Sequence, residues 1–208
     1  MMTITYKVKN GVYVNMTNRC PCACTFCIRQ NGPGAYGSDS LWLEREPSIK
    51  ETVDSIFSWD LDKYDELVFC GYGEPTERLP DLLITAAEVK KKSSIPIRVN
   101  TNGLSDLIWG RPTACDMAGL VDTVSISLNS VTPEKYLEIT KSKFGMRSFE
   151  AVKKFAKDAK IFVPNVVMTV VDVIPKEDIE EAGRICSDLG VTLRVRKYEG
   201  PEGDGGKV

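Results

Sequence analysis

The stretch CPCACTFC, residues 20–27, places four cysteines within eight positions. It follows the strand-like run GVYVNMT at residues 11–17, so it forms the loop that leaves a strand. The chain contains 7 cysteines and no histidine, and this odd, clustered set differs from the paired cysteines of a disulfide framework. Thiolates are strong ligands for zinc and for iron–sulfur clusters. The stretch therefore predicts a metal-binding or catalytic loop in a reducing compartment.

Cys20, Cys24 and Cys27 have the spacing C-x3-C-x2-C, which supplies three thiolates from one loop. Three thiolates hold three irons of a [4Fe–4S] cluster, and four are needed to hold every iron. An iron without a protein ligand can bind a small molecule, as the open position of a catalytic metal site does. Cys22 lies between these positions and could compete as a ligand.

Two other interpretations of the cysteines remain open. A zinc knuckle would combine the loop with one distant thiol, such as Cys70 or Cys115, although structural zinc sites usually contain two separated pairs. A redox C-x2-C at Cys24 and Cys27 would need a thioredoxin-like context, which the flanking sequence lacks. The spacing favours the iron–sulfur cluster over both.

Strand-like and helix-like segments alternate along the chain. Ser48 and Glu51 form a capping box at the start of one helical repeat, and Gly190 is typical of a helix end. The six strand-like runs are GVYVNMT, ELVFCG, IPIRVNTNG, DTVSISLNS, IFVPNVVMTVVD and VTLRVRKY. Because helices separate these strands, right-handed crossovers join them into a mainly parallel sheet. The pattern predicts an α/β fold.

Four of these strands alternate between apolar and polar residues. The alternation gives each strand one apolar face for the helices and one polar face. An open antiparallel sheet with a solvated face is the alternative, but the regular strand–helix order favours a curved parallel sheet that lines a polar cavity. The residues predicted to face the cavity are Tyr13, Asn15, Thr17, Arg98, Asn100, Asn102, Ser125, Ser127, Asn129, Arg194, Arg196 and Tyr198.

Composition sets the class of protein. The 208 residues fit one domain, which we place at residues 1–199, followed by a glycine-rich flexible tail at 200–208. A net charge of −2 argues against an extensive nucleic-acid or anionic-membrane surface. The most apolar stretch contains Pro164, Asn165 and Asp172, so we expect no membrane span. The first residues lack the apolar core of a signal peptide, and we expect a cytoplasmic protein.

The cysteine spacing, with the aromatic Phe26 directly before the last cysteine, resembles the radical SAM superfamily. The resemblance covers nearly the whole chain and implies a partial (β/α)6 TIM-like barrel. It implies that Cys20, Cys24 and Cys27 hold a [4Fe–4S] cluster whose remaining iron chelates the amino and carboxylate groups of S-adenosylmethionine. Phe26 would then lie near the adenine.

The run GYGEP at residues 71–75 resembles the GGEP motif of the same family. The resemblance implies that Gly73 and Glu74 bind the cofactor's ammonium group, whereas Tyr72 replaces the first glycine of the motif. Taken alone, the run is a turn after a buried strand, and it is not a dinucleotide-binding motif, since Thr76 stands where the third glycine belongs. Further cofactor-binding candidates, at the ends of the next strands, are Thr101, Asn102, Ser127 and Asn129.

The resemblance also implies the reaction. The reduced cluster passes one electron to S-adenosylmethionine, which breaks into methionine and a 5′-deoxyadenosyl radical, and this radical abstracts hydrogen from a substrate. The cluster would be oxygen-sensitive and would need a reducing partner such as flavodoxin or ferredoxin. The substrate is not specified. Our substrate-contact candidates are Asn15, Arg194 and Arg196, because two guanidiniums in a polar cavity suit a carboxylate or a phosphate. Ion pairing of the two arginines with acids of the cavity, or their exposure at the edge of the barrel, is the alternative and is slightly favoured.

A closer resemblance lies in the runs YKVKNGVYVNMTNRCPCACTFCIRQ at residues 6–30 and LWLEREP at 41–47. They are similar to the TatD-associated radical SAM proteins, which are encoded beside, or fused to, TatD-type metal-dependent hydrolases. This resemblance implies a TatD-type hydrolase as a partner. The alternative function is a non-catalytic zinc or iron–sulfur binding module that assists such a hydrolase.

Overall fold

The computed structural model describes residues 2–198, which form one seven-stranded sheet with helices on one side. The strands are ordered along the sheet as they occur along the chain, and the sheet does not close. Strand β1 pairs antiparallel with β2, and every later neighbour is parallel. The bounds are β1 Thr5–Val8, β2 Gly11–Val14, β3 Glu66–Phe69, β4 Ile97–Thr101, β5 Thr123–Ser127, β6 Asn165–Val171 and β7 Thr192–Arg196. The mainly parallel α/β sheet of a partial TIM-like barrel is confirmed.

Six α-helices lie within the described residues, together with four short 3-10 turns. Their bounds are α1 Ile49–Phe57, α2 Leu79–Lys90, α3 Ser105–Trp109, α4 Pro133–Thr140, α5 Arg147–Phe162 and α6 Lys176–Leu189. The predicted capping box of α1 is present, and Gly190 ends α6 in the left-handed conformation with φ 67°. No helix of the described part has the length and apolar character to cross a membrane.

Two details differ from the sequence prediction. The hairpin strand β1 was not predicted, and a two-residue turn at Lys9 and Asn10 joins it to β2, with Lys9 at φ 52°. In addition, Ile161 and Phe162 belong to the end of α5, so the sixth strand starts at Asn165 rather than at Ile161. The predicted tail at 200–208 lies outside the described residues.

The core lies between the helices and the apolar face of the sheet. In-register neighbours such as Phe69, Val99 and Val124 are fully buried on that face. The opposite face, which we call the inner face, carries the predicted polar residues: Asn100 pairs with Ser125, and Thr169 pairs with Arg194. Because the pairing is parallel, the open antiparallel alternative is wrong.

Candidate functional site

The cysteine loop follows β2 and lies at the carboxyl ends of the parallel strands. Its backbone is hydrogen-bonded to the end of helix α4. The Ala23 amide donates to the Thr140 carbonyl and the Thr25 amide donates to the Ile139 carbonyl, both at 2.9 Å. Lys143, just after α4, donates its amide to the carbonyl of Pro21 at 2.9 Å. The last carbonyls of a helix have no partner within the helix. The loop therefore uses these free acceptors as its support.

All seven cysteines are free thiols. Cys22 is buried between Cys20 and Cys24, and its pKa is raised, chiefly by hydrogen-bonding interaction with the thiols of these two neighbours. The same bonds lower the pKa of Cys20 and of Cys24, which favours their thiolate form. Burial raises the pKa of the Cys27 thiol. The half-buried Cys20, Cys24 and Cys27 thus fit the three thiolate ligands of an iron–sulfur cluster, with Cys22 as a neutral neighbour.

The zinc interpretation gains no support from residues 2–198. Within them, no group of three His, Cys, Asp or Glu side chains is arranged to hold a metal ion. Cys115 is exposed in the short turn Ala114–Met117 and lies beside Asp116, 3.7 Å from its carboxylate. An iron–sulfur cluster is larger than a single ion, so its ligands stand farther apart than those of a zinc site.

Glu74 is the buried acid of the site, with 4% of its surface exposed. Its Oε1 accepts hydrogen bonds from the Thr76 amide at 3.1 Å, the Thr76 hydroxyl at 2.8 Å and the Thr101 hydroxyl at 2.7 Å. Its Oε2 accepts one bond, from the Asn102 amide at 2.7 Å. Burial nonetheless raises the pKa of Glu74. Since Oε1 accepts three hydrogen bonds and Oε2 only one, Oε2 keeps room for a further donor.

The glycines of GYGEP let the end of β3 lie directly against the cysteine loop. A Cβ atom at Gly73 would stand 2.3 Å from the Thr17 carbonyl oxygen and 2.6 Å from the Arg19 carbonyl oxygen. The next amide, that of Glu74, donates to the same Arg19 oxygen at 2.8 Å. Position 73 therefore requires glycine, because any side chain would push the two segments apart.

Tyr72 packs away from the strand ends into a second, smaller hydrophobic cluster with Tyr6, Val8 and Leu41. Its hydroxyl lies 2.7 Å from the Gly32 carbonyl oxygen and 2.9 Å from that of Gly34. The side chain thereby fastens the loop that follows the cysteines. The prediction that Tyr72 binds the cofactor stays a prediction.

The remaining predicted cofactor residues lie at the ends of β4 and β5. The side-chain nitrogen of Asn102 stands 4.0 Å from the sulfur of Cys20 and 4.0 Å from that of Cys22. Ser127 is the last residue of β5. Asn129 has φ 60° and is 5% exposed, and its side-chain oxygen is buried without a partner among residues 2–198. The structure brings Glu74, Thr101 and Asn102 into contact with one another and sets Asn102 against the cysteines.

A cavity of about 440 Å³ opens beside the cysteine loop. Phe26 and Asn129 line it on one side, and Val171 and Ile174 on the other. At its rim, Lys135 donates to Asp178 at 2.7 Å, which ties α4 to α6. This mainly apolar space accepts a planar ring next to the polar strand ends.

The three substrate-contact candidates have different surroundings. Asn15 is fully buried, and its amide nitrogen donates to the Leu41 carbonyl at 2.7 Å, so it holds the fold in place. Arg194 and Arg196 follow one another along the inner face of β7, and Arg194 donates to the Ser125 hydroxyl at 3.1 Å. Their contact with a substrate stays a prediction.

Sequence reasoning missed two supports of the site. Arg29 donates to the Cys22 carbonyl at 3.1 Å, and its charge helps to lower the pKa of Cys24 and opposes the burial that raises the pKa of Cys27. Thr76 supplies two of the four hydrogen bonds to Glu74. Glu74 is the N-cap of the turn Pro75–Arg78 and Thr76 is its second residue; because glutamate is not a preferred N-cap residue, no local signal in the sequence indicated this contact.

Residues 14–189 match the family model of the Radical SAM superfamily. Among curated proteins, the probable GTP 3′,8-cyclase of Methanocaldococcus jannaschii is 25% identical over 185 residues, which cover 89% of this chain and 57% of that protein. GTP 3′,8-cyclase 2 of Mycobacterium tuberculosis is 28% identical over 196 residues, covering 91% of this chain and 50% of that protein. The chain thus spans about half the length of these relatives.

Solved structures show the same fold. Streptococcus suis SuiB bound to the precursor peptide SuiA superposes with a TM-score of 0.66 at 18% identity, over 89% of this chain and 38% of that chain. SuiB bound to S-adenosylmethionine gives a TM-score of 0.62 at 18% identity, over 89% of this chain and 38% of that chain. A radical SAM methyltransferase from Sphaerobacter thermophilus gives a TM-score of 0.63 at 13% identity, over 95% of this chain and 70% of that chain.

Proposed function

Because the chain belongs to the radical SAM superfamily, whose members use a [4Fe–4S] cluster and S-adenosylmethionine, we propose that it cleaves this cofactor reductively and abstracts hydrogen from a substrate. The observation that carries the proposal is the set of half-buried thiols at the carboxyl ends of the strands, in contact range of Asn102 and next to Glu74. When bound and reduced, the cluster supplies the electron that yields methionine and a 5′-deoxyadenosyl radical.

Cys20, Cys24 and Cys27 are the ligands that would hold the cluster. Two of them have a lowered pKa, and a thiol must lose its proton before it binds iron. The pKa of Cys22 is raised, which makes it the weaker ligand, so we assign it a supporting position between two ligands. One iron is then left for the amino and carboxylate groups of S-adenosylmethionine.

The chain's own residues orient the cofactor. Oε2 of Glu74 is available to accept one hydrogen bond from an ammonium group, and the backbone at Gly73 lies directly beside it. Asn102, Thr101 and Ser127 offer polar groups at the strand ends. Phe26 and Asn129 border the apolar cavity, which would take the adenine and exclude water from it. Tyr72 contributes by fastening the neighbouring loop.

A reducing partner such as flavodoxin or ferredoxin would supply the electron, and a TatD-type hydrolase is the further partner that we propose. Free thiols and an oxygen-sensitive cluster favour the cytoplasm as the compartment. GTP is a suitable first substrate to test, because the curated relatives are named GTP 3′,8-cyclase. The matched region covers only 57% and 50% of these two relatives, so other substrates belong in the same screen.

The test is anaerobic reconstitution with iron and sulfide, reduction with dithionite, and detection of 5′-deoxyadenosine after addition of S-adenosylmethionine. The wild type should form 5′-deoxyadenosine and Cys24→Ala should form none. Cys115→Ala is the matched control, since this thiol is exposed and outside the loop, and it should behave as the wild type. Zinc in place of iron together with no cleavage would instead support the non-catalytic module.

A further inference from the structure

The charged residues of the seven strands are concentrated on one face. They are Lys7, Glu66, Arg98, Arg194 and Arg196. Lys7 pairs with Val12 and therefore belongs to the apolar face of the sheet. The other four belong to the inner face, since Arg98 is in register with Val68 and Tyr13, and Glu66 lies two residues before Val68. The inner face thus carries three guanidiniums and one carboxylate from the strands.

Arg98 is a buried cation with an unused donor. It is 9% exposed, and its Nη2 donates to Glu66 at 2.6 Å and to the Tyr13 hydroxyl at 3.1 Å. Its Nε is buried and has no hydrogen-bond partner among residues 2–198. A buried donor without a partner costs free energy, so this atom has the property expected of a site completed by a ligand.

Arg194 adds a second guanidinium that is not neutralised. Its hydrogen bond goes to a neutral group, the Ser125 hydroxyl, at 3.1 Å. No salt bridge joins Arg194 or Arg196 to a carboxylate of residues 2–198. Both side chains are exposed on β7, the last strand of the open sheet. Partial desolvation lowers the pKa of Arg194, and the charges of Arg98 and Arg196 lower it further. Like charges held together in this way are stabilised by an added anion.

We propose that Arg98, Arg194 and Arg196 bind an oxyanion of the substrate, a carboxylate or a phosphate, on the inner face of the sheet. Guanidinium groups bind both anions through paired N–H donors, and Glu66 occupies one of the donors of Arg98 until the anion is present. The proposal rests on the proposed function, because it concerns the substrate of the same site.

The position of this arginine cluster also constrains the substrate. Arg98 lies four residues before Asn102, which is about 13 Å along an extended strand. Arg194, in contrast, is in register with Thr169 and, through it, with Ser127 at the end of β5, so the three arginines extend along the inner face up to the strand ends. A substrate held by them would extend along this face toward the cysteine loop.

The test is isothermal titration calorimetry of the reconstituted protein with two probes, inorganic phosphate and succinate, at low ionic strength. The wild type should bind at least one probe, and the preferred probe identifies phosphate or carboxylate as the recognised group. Arg194→Gln should weaken that binding by about tenfold, the loss expected for one charge-assisted hydrogen bond. Arg184→Gln is the matched control, because this exposed arginine of α6 pairs with Glu181 away from the sheet, and its affinity should not change.

A second variant changes the affinity in the opposite direction. Glu66→Gln should strengthen binding several-fold, because it frees the Arg98 donor that Glu66 occupies. Glu181→Gln makes the same change of charge on α6 and should leave the affinity unchanged. The proposal would be overturned if Arg194→Gln and Arg184→Gln changed the affinity for the probe equally. Equal changes from Glu66→Gln and Glu181→Gln would overturn it too. In either case the affinity would depend only on the total charge of the protein. Circular dichroism of each variant verifies that it is folded.

The same samples separate this proposal from the proposed function. Cleavage of S-adenosylmethionine by a wild type that binds neither probe would overturn the anion site and leave the function intact. Binding that depends on Arg194, in a reconstituted protein that does not cleave S-adenosylmethionine, would support the anion site and contradict the function.

Discussion

Cys22 lies between two of the cysteines that we propose as cluster ligands. Interaction among the three thiols raises the pKa of Cys22 and lowers the pKa of Cys20 and of Cys24. A neutral, buried thiol is a weak ligand. The spacing alone offers four cysteines, and we propose that this difference in pKa distinguishes three ligands from the fourth.

Replacing Cys22 should therefore have a small effect on iron binding. We expect Cys22→Ala to retain iron close to the wild-type content, because all three ligands remain, whereas Cys24→Ala should lose most of it. Iron and sulfide analysis after anaerobic reconstitution measures both variants. A Cys22→Ala protein that is as poor in iron as Cys24→Ala would show that Cys22 is itself a ligand.

Glu74 should give the folded protein a defined dependence on pH. Burial raises its folded-state pKa above the ordinary value of 4.5, so the folded state binds this proton more tightly than the unfolded state does. The stabilising contribution is full below pH 4.5 and is lost as the pH rises through the folded-state pKa. The glutamine of Glu74→Gln does not titrate, so the stability of this variant should not fall with pH for this reason.

Urea denaturation of the iron-free protein at a series of pH values from acid to neutral measures this effect. The difference in free energy of unfolding between the wild type and Glu74→Gln should change with pH, with the wild type losing stability relative to the variant as the pH rises. Parallel curves would show that Glu74 does not titrate differently in the folded state.

At the scale of elements, Gly73 joins β3 to the cysteine loop. In Gly73→Ala the new Cβ would meet two backbone oxygens, those of Thr17 and Arg19, which cannot rotate away. We expect a loss of about 3 kcal/mol in the free energy of unfolding, the upper range for overpacking, together with loss of iron. Gly183→Ala in α6 is the control, since its Cβ meets nothing within 4 Å and should stabilise the helix by about 0.5–1 kcal/mol.

Tyr72 fastens the loop after the cysteines to β3. Tyr72→Phe removes the hydroxyl that reaches the carbonyls of Gly32 and Gly34 but keeps the ring against Trp42. We expect the protein to lose about 1 kcal/mol of stability and the amides of residues 32–42 to exchange faster with solvent. Tyr64→Phe, whose ring packs on Trp59, should leave exchange in this loop unchanged.

The sequence predicts the elements whose signals are periodic or local. Alternation along β5 correctly separates Val124 and Ile126 from Ser125 and Ser127, and the capping box correctly starts α1 at Ser48. Strand β1 has only four residues, and it becomes a strand because it pairs with β2. The sequence of such a short segment does not predict a strand by itself, because the strand forms only through its contacts with a neighbour.

The site is predictable to a similar degree. Motif spacing identifies the cysteines and GYGEP, because their chemistry depends on neighbours in the sequence. Motif spacing does not show that the Asn15 side chain donates a hydrogen bond to the Leu41 carbonyl, or that the Thr76 hydroxyl donates one to Glu74. Those contacts depend on how the loops pack. The pairing of Arg98 with Glu66 is likewise a property of neighbouring strands rather than of either segment.

At the scale of the whole molecule, the two faces of the sheet have different roles. Helices cover the apolar face and supply the core, while the inner face keeps polar and charged side chains accessible. Every parallel strand ends at the edge where the cysteine loop lies, so the polar residues that we propose for the cofactor lie beside this loop although they come from different strands. The chain spans about half the length of its curated relatives.

The bonds between the cysteine loop and the end of α4 connect iron content to the lifetime of the protein. Ala23 and Thr25 bond the last carbonyls of that helix, and a cluster held by the loop would stabilise this arrangement further. A chain that has lost its iron would release the end of α4, open more often there and become a better substrate for proteases. Iron supply, and not only synthesis, would then set how much of this protein a cell contains.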